Sequence, residues 1–173
     1  MENREWKKRV IDIFTETSGM NVSVAEGFYI TGISTRTSNL PGRAEKEIPA
    51  LWARFQAEGV MQLLENRDGD SVYCVYTGYE SDHRGEYDVV LGCRTDLPPA
   101  AIPGGFVTIQ ISAGPYEKFT ATGNLMQGVV FSQWLKIWEA GLRRAFTTDY
   151  EVYDERAINP SSAVVDIFIA LKA

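Results

Sequence analysis

The strongest constraint on the fold is an internal echo. Tyr150-Glu151-Val152-Tyr153 repeats the spacing of Tyr73-Cys74-Val75-Tyr76 in the first half of the chain. The correspondence extends outward. Val22-Ser23-Val24 followed by Gly27-Phe28-Tyr29 lies over Val107-Thr108-Ile109 followed by Gly114-Pro115-Tyr116. The segment with Trp52 lies over the segment with Trp134 and Trp138, and Val89-Val90 lies over Val164-Val165. Pro98-Pro99-Ala100-Ala101-Ile102-Pro103-Gly104-Gly105 separates the two parts and is the clearest turn-forming stretch in the chain. Two copies are too few for a solenoid, so the repeat predicts a duplication within one domain.

Each half reads as strand–helix–strand–strand. In the first, residues 21–37 are extended, with a break or bulge at Glu26-Gly27. A helix follows, with Pro49 in its first turn and Ile48, Leu51, Trp52 and Phe55 on one face; Gly59 ends it. Residues 66–70 form a turn cluster, and 72–79 and 87–94 an antiparallel hairpin. In the second half, 106–111 and 116–122 are extended. Gly123-Asn124 opens a helix carrying Val130, Trp134, Ile137, Trp138 and Leu142 on one face, and strands follow at 150–154 and 163–171. The expected class is α+β: duplicated strand–helix–strand–strand units join into one antiparallel sheet, with two main helices on one face and a groove between the halves. The domain spans residues 21–173, with halves at about 21–97 and 106–173. An N-terminal helical extension, residues 1–20, precedes it, with Trp6, Val10, Ile13 and Phe14 on one face and Gly19 as the stop.

Charge and composition exclude several function classes. The formal net charge is -6, and no Lys/Arg cluster exists that could track phosphates, so direct nucleic-acid binding is not expected. Cys74 and Cys93 are the only cysteines and lack metal-ligand spacing; two buried free thiols are expected. His83 is the only histidine and falls in a polar hairpin linker, where an exposed loop residue is expected. No catalytic triad, metal site or cofactor motif emerges. No segment approaches the ~20 apolar residues that span a bilayer, and the N-terminus lacks a signal-peptide core. A cytoplasmic protein is expected.

Strand parity identifies the candidate site. Side chains alternate along a strand, so Glu151 and Tyr153 share one face, and Cys74 and Tyr76 take the same parity in the first half. If that face meets the helices, the groove is lined by Tyr76, Tyr153, Trp52, Trp134 and Trp138 around one carboxylate, Glu151. Aromatic walls with one desolvated acid suit an organic cation. A strand glutamate is otherwise solvent-facing or paired with a base, and aromatics are otherwise plain core. The coincidence at matched positions in both halves favours the site. Because Cys74 stands where Glu151 stands, the groove should be symmetric in its walls and asymmetric in charge, holding a cation at one end.

Five local patterns carry a family resemblance. They are Gly32-Ile33-Ser34-Thr35-Arg36-Thr37-Ser38-Asn39, Ile48-Pro49-Ala50-Leu51-Trp52-Ala53-Arg54-Phe55, Tyr73-Cys74-Val75-Tyr76-Thr77-Gly78-Tyr79-Glu80-Ser81, Gly114-Pro115-Tyr116-Glu117-Lys118-Phe119 and Asp149-Tyr150-Glu151-Val152-Tyr153-Asp154. In this order they resemble the GyrI-like, AraC-type effector-binding domains of drug-sensing regulators, above all their stand-alone, integron-associated versions. The resemblance covers about residues 21–173. It implies binding of hydrophobic, often cationic compounds between the halves, with Glu151 as the family's central acid and Trp52, Tyr76, Trp134, Trp138 and Tyr153 around it. The first 20 residues do not supply a helix-turn-helix, so direct transcriptional control is not expected. The resemblance leaves two alternatives open: a hydrolase of reactive electrophiles in the same groove, or a gyrase-inhibitor-like module with a protein partner.

Overall fold

A computed structural model describes residues 22–95 and 104–173. The expected N-terminal helix and most of the Pro-rich linker lie outside the described residues. The elements in chain order are β1 (Val22–Ala25), β2 (Phe28–Ser38), α1 (Ala44–Ala57), α2 (Val60–Leu63), β3 (Arg67–Thr77), β4 (Glu86–Thr95), β5 (Val107–Ile111), β6 (Gly114–Gly123), α3 (Val129–Glu139), β7 (Thr148–Tyr153) and β8 (Ala163–Ala170). Three short 3₁₀ turns connect them. The strands form one eight-stranded antiparallel sheet in the order β1-β6-β8-β7-β3-β4-β2-β5.

The order of the strands requires the sheet to curl. β1 stands at one end and β2 next to the other, yet only Glu26 and Gly27 separate them in sequence. Across from that break, Ser112 and Ala113 interrupt β5 and β6 at the same level, between the pairs Ala25↔Gly114 and Phe28↔Ile111. The two broken runs thus carry the sheet round on itself. On the next ladder Gly32 faces Gly92. A Cβ on Gly32 would lie 2.0 Å from the Leu91 carbonyl oxygen, and one on Gly92 would lie 2.2 Å from that of Thr31. Only glycine lets the two backbones approach this closely.

Period-two alternation divides the core between the two faces. Ile33, Cys74, Val89 and Leu91 point to one face and pack with Leu51 and Phe55 of α1, which lie one helical turn apart. Ala121, Ile167 and Ile169 pack with Trp134 and Ile137 of α3. Tyr76 packs against both groups, so α1 and α3 cover the same face, with β3 and β7 running between them. The opposite face holds a second core of Ile30, Val75, Val90, Ile111, Tyr116 and Tyr150.

Local boundaries differ from the sequence reading in three places. Pro49 is inside α1 rather than in its first turn. Pro49 and Glu45, whose carbonyl its missing N–H would have met, are both on the exposed side, where water satisfies the carbonyl. The 66–70 turn cluster is instead the start of β3: the ladder shifts register between Arg67 and Val72, and Gly69 takes a left-handed φ of 83°. Asn124 caps a 3₁₀ turn, not α3, which starts after Gly128 (φ 75°) and ends before Leu142.

The contact between Gly32 and Gly92 gives a direct test. Gly92→Ala places a methyl inside a neighbouring backbone, so it should cost at least the ~1–3 kcal/mol of an overpacked core. Urea unfolding of the variant measures the loss; a change below about 0.5 kcal/mol would contradict the close approach.

Candidate functional site

The space between α1 and α3 is a cavity of about 550 Å³. That is within the range of small-molecule sites. All six residues singled out from the sequence, Trp52, Tyr76, Trp134, Trp138, Glu151 and Tyr153, line it. They do not form one cluster. Tyr76, Trp134 and Tyr153 hydrogen-bond the Glu151 carboxylate and Trp52 packs on Tyr153, while Trp138 lies at the end where the 80–86 hairpin tip approaches α3, stacked on His83 at 5.5 Å.

Glu151 sits on β7 directly across from Cys74 of β3. It is 2% exposed. Oε1 accepts from the Tyr76 hydroxyl at 2.8 Å and from Trp134 Nε1 at 2.6 Å; Oε2 accepts from the Tyr153 hydroxyl at 2.7 Å. Cys74 Sγ donates in turn to the Tyr76 oxygen at 3.6 Å. Every one of these partners is neutral, and none of the ion pairs among the described residues involves Glu151. Along the six-pair β3–β7 ladder, Cys74↔Glu151 is the third pair.

Burial pushes the Glu151 carboxyl above its usual range, and the hydrogen bonds from Trp134, Tyr153 and Tyr76 hold it back. Burial and then nearby negative charge push the Tyr76 and Tyr153 hydroxyls well up, so both remain donors at any working pH. Both hydroxyl hydrogens are committed to Glu151, and the Tyr76 oxygen in turn accepts from Cys74 Sγ.

Two tryptophan–tyrosine pairs brace the acid across the ladder. Trp52 of α1 meets Tyr153 of β7 edge-on at 4.8 Å, and Trp134 of α3 meets Tyr76 of β3 edge-on at 5.1 Å. Each tryptophan thus supports a tyrosine from the other half of the chain. Such contacts are each worth about 0.5–1.5 kcal/mol beyond area burial.

The sequence reading missed residues at the hairpin end. His83 lines the cavity half-buried rather than standing free in solvent, since its ring stacks on Trp138. Burial is the main cause that lowers its pKa. Tyr79, Tyr87 and Arg144 also line the cavity. Arg144 is 5% exposed at its side chain and pairs with fully buried Asp149 at 2.7 Å. Tyr79 and Asp149 lie inside the quoted motifs, yet nothing in their spacing marks them as partners.

A curled antiparallel sheet that holds an aromatic cavity around one acid defines a class of ligand-receiving domain. The sequence profile of Cass2, the integron-associated effector-binding proteins, matches residues 24–171. The chain belongs to this family. It is 34% identical over 145 residues to YobU of Bacillus subtilis (strain 168), whose name provisionally places it among transcriptional regulators; the match covers 82% of this chain and 90% of YobU. An integron cassette protein from the mobile metagenome of Vibrio cholerae is 34% identical, with a TM-score of 0.67 over 90% of this chain and 97% of that one. SAV2435, solved bound to tetraphenylphosphonium, shares the fold at 16% identity, with a TM-score of 0.72 over 89% of this chain and 94% of that one. Among the described residues no helix is long and apolar enough to cross a membrane.

The raised pKa of Glu151 sets its effect on stability. Protonation-linked stability is complete below the ordinary glutamate value of 4.5 and is lost as pH rises through the higher folded value. As pH rises above 4.5, ionising this desolvated group therefore costs the folded chain stability. Glu151→Gln keeps acceptor and donor atoms in the same place without the charge. Its Tm at pH 7 should equal or exceed that of the parent, and its advantage should shrink at pH 4; a clear loss of Tm at pH 7 would mark Glu151 as structural. Asp149→Ala leaves Arg144 buried without its counter-ion and should cost about 3–5 kcal/mol in urea unfolding.

Proposed function

We propose that this protein is a receptor for hydrophobic organic cations, binding them in the aromatic cavity above Glu151. The observation that carries the reading is a buried carboxylate whose partners are all neutral. Such a group costs stability, and a cation held between π faces is its natural complement. The positive centre would lie over Glu151, between the Trp52–Tyr153 and Trp134–Tyr76 pairs. The tetraphenylphosphonium bound by SAV2435 adds support by analogy of fold. A multidrug or dye-sensing role in the cytoplasm is part of this reading. The recurring element order supports reading the two halves as duplicated strand–helix–strand–strand units.

The site favours a receptor over a hydrolase. A general base needs a lone pair aimed at water or substrate. Glu151 spends Oε1 on two donors and Oε2 on a third, beneath the rings that would touch the ligand.

Titration with tetraphenylphosphonium should quench tryptophan fluorescence with a micromolar Kd. Glu151→Gln should weaken the cation by tenfold or more and leave a neutral isostere, tetraphenylmethane made soluble by a short glycol chain, within about twofold, since the lost attraction acts on charge alone. Equal losses for the two probes would remove the electrostatic role. Affinity for the cation should fall on acidification, beginning above pH 4.5, as the carboxylate takes up its proton.

A further inference from the structure

Arg144 is the one arginine or lysine among the described residues lining the cavity, and its contacts are incomplete. The guanidinium spends Nη2 on Asp149 Oδ2 at 2.7 Å. Its Nε and Nη1 are buried and have no hydrogen-bond partner among the described residues. Asp149 cannot take more: Oδ2 also accepts from the Tyr79 hydroxyl at 2.7 Å, and Oδ1 accepts from the Ala170 N–H at 2.8 Å. A buried arginine serving only structure uses its fork more fully, because each unpaired N–H away from water is costly.

The surrounding chain holds the guanidinium in place. Arg144 bridges to Leu171, and Ala145 N–H donates to the Ala170 carbonyl at 2.7 Å. Phe146 adopts φ 54°, the only left-handed non-glycine conformation among the described residues, and its ring lies 4.4 Å from Arg144 Cζ. A phenylalanine there is strained, and strain of this kind persists where the surroundings impose it. Trp134 meets both charged groups. Its Nε1 donates to Glu151, and its ring lies 5.8 Å from Arg144 Cζ.

We propose that Arg144 is a second recognition pole, and that the ligand is an aromatic cation carrying a carboxylate or carbonyl acceptor that Nε and Nη1 of Arg144 receive. The inference rests on the cation-receptor reading and adds a requirement to it. Asp149 neutralises Arg144, so the second pole does not cancel the attraction of Glu151 for positive charge. Asp149 and Glu151 are two positions apart on β7 and so share one face, which brings the Arg144–Asp149 pair and the Glu151 carboxylate to the same side of the sheet. His83, kept neutral by burial, stands at the same end beside Trp138 and offers a further polar contact to the acceptor.

The test compares rhodamine B, a xanthylium cation with a pendant carboxylate, with the rosamine analogue in which hydrogen replaces that carboxylate. Tetraphenylphosphonium serves as a cation without any acceptor. The intact chain should bind rhodamine B roughly tenfold more tightly than the rosamine, the scale of a charge-assisted arginine fork. Arg144→Lys keeps the charge beside Asp149 but loses Nε and the fork. It should reduce the preference to about twofold while holding rosamine and tetraphenylphosphonium within about twofold of the parent. The double variant Arg144→Gln with Asp149→Asn removes both charges together and should abolish the preference, which keeps the test open if the lysine variant does not fold. Equal affinity of the parent for the two dyes, or a preference that survives both variants, overturns the second pole. If tetraphenylphosphonium binds in that case, the cation reading stands alone; if no probe binds the parent, both fall.

Discussion

The structure depends on how one carboxylate is kept out of water. Glu151 is buried in the middle of a sheet, opposite a thiol, and among the described residues no base pairs with it. Three neutral donors do the work that water would otherwise do, and they come from three elements: Tyr76 from β3, Tyr153 from β7 and Trp134 from α3. Removing water raises the free energy of the anion, and the hydrogen bonds recover only part of it, so the carboxyl remains easier to protonate than in solvent. A negative potential is thereby stored beneath the aromatic floor. The proposed receptor function is the use of that potential.

The remainder of the fold keeps the donors in register. The sheet curls at paired breaks and closes tightly where Gly32 faces Gly92. The curl brings α1 and α3 over the same two strands from opposite sides. Each helix then sends one tryptophan across the ladder to brace the tyrosine contributed by the other half. The second charged group follows different logic. Arg144 and Asp149 cancel one another, so they can lie close to Glu151 without quenching its field. The acid side of the pair is fully committed, while Nε and Nη1 of the guanidinium are buried without a hydrogen-bond partner among the described residues, which is the asymmetry on which the second pole rests.

Much of this was legible in the chain because it follows from local periodicity. Alternation along β7 places Glu151 with Tyr153, and the same rule places Cys74 with Tyr76. The apolar spacing of Leu51 with Phe55 and of Trp134 with Ile137 identifies the covering helices. Readings failed where an exposed or tertiary contact overrode a local preference. Pro49 is tolerated inside α1 because water satisfies the carbonyl it leaves free. Gly69 bulges a strand rather than ending a loop. His83 reads as a loop residue until the hairpin tip folds against Trp138.

By itself the sequence determined which residues share a face, since the two-residue period of a strand and the 3.6-residue period of a helix are properties of the backbone. It also determined that this face carries an acid among aromatic rings. Only the tertiary structure decided that the hydrogen-bond partners of Glu151 among the described residues are all neutral, that it lines the cavity, and that Arg144 enters the wall with two donors unspent. Those facts rest on contacts between residues as far as 75 positions apart, such as Tyr76 with Glu151. No periodicity encodes a pairing of that range; it is set when the sheet curls and the helices close over it.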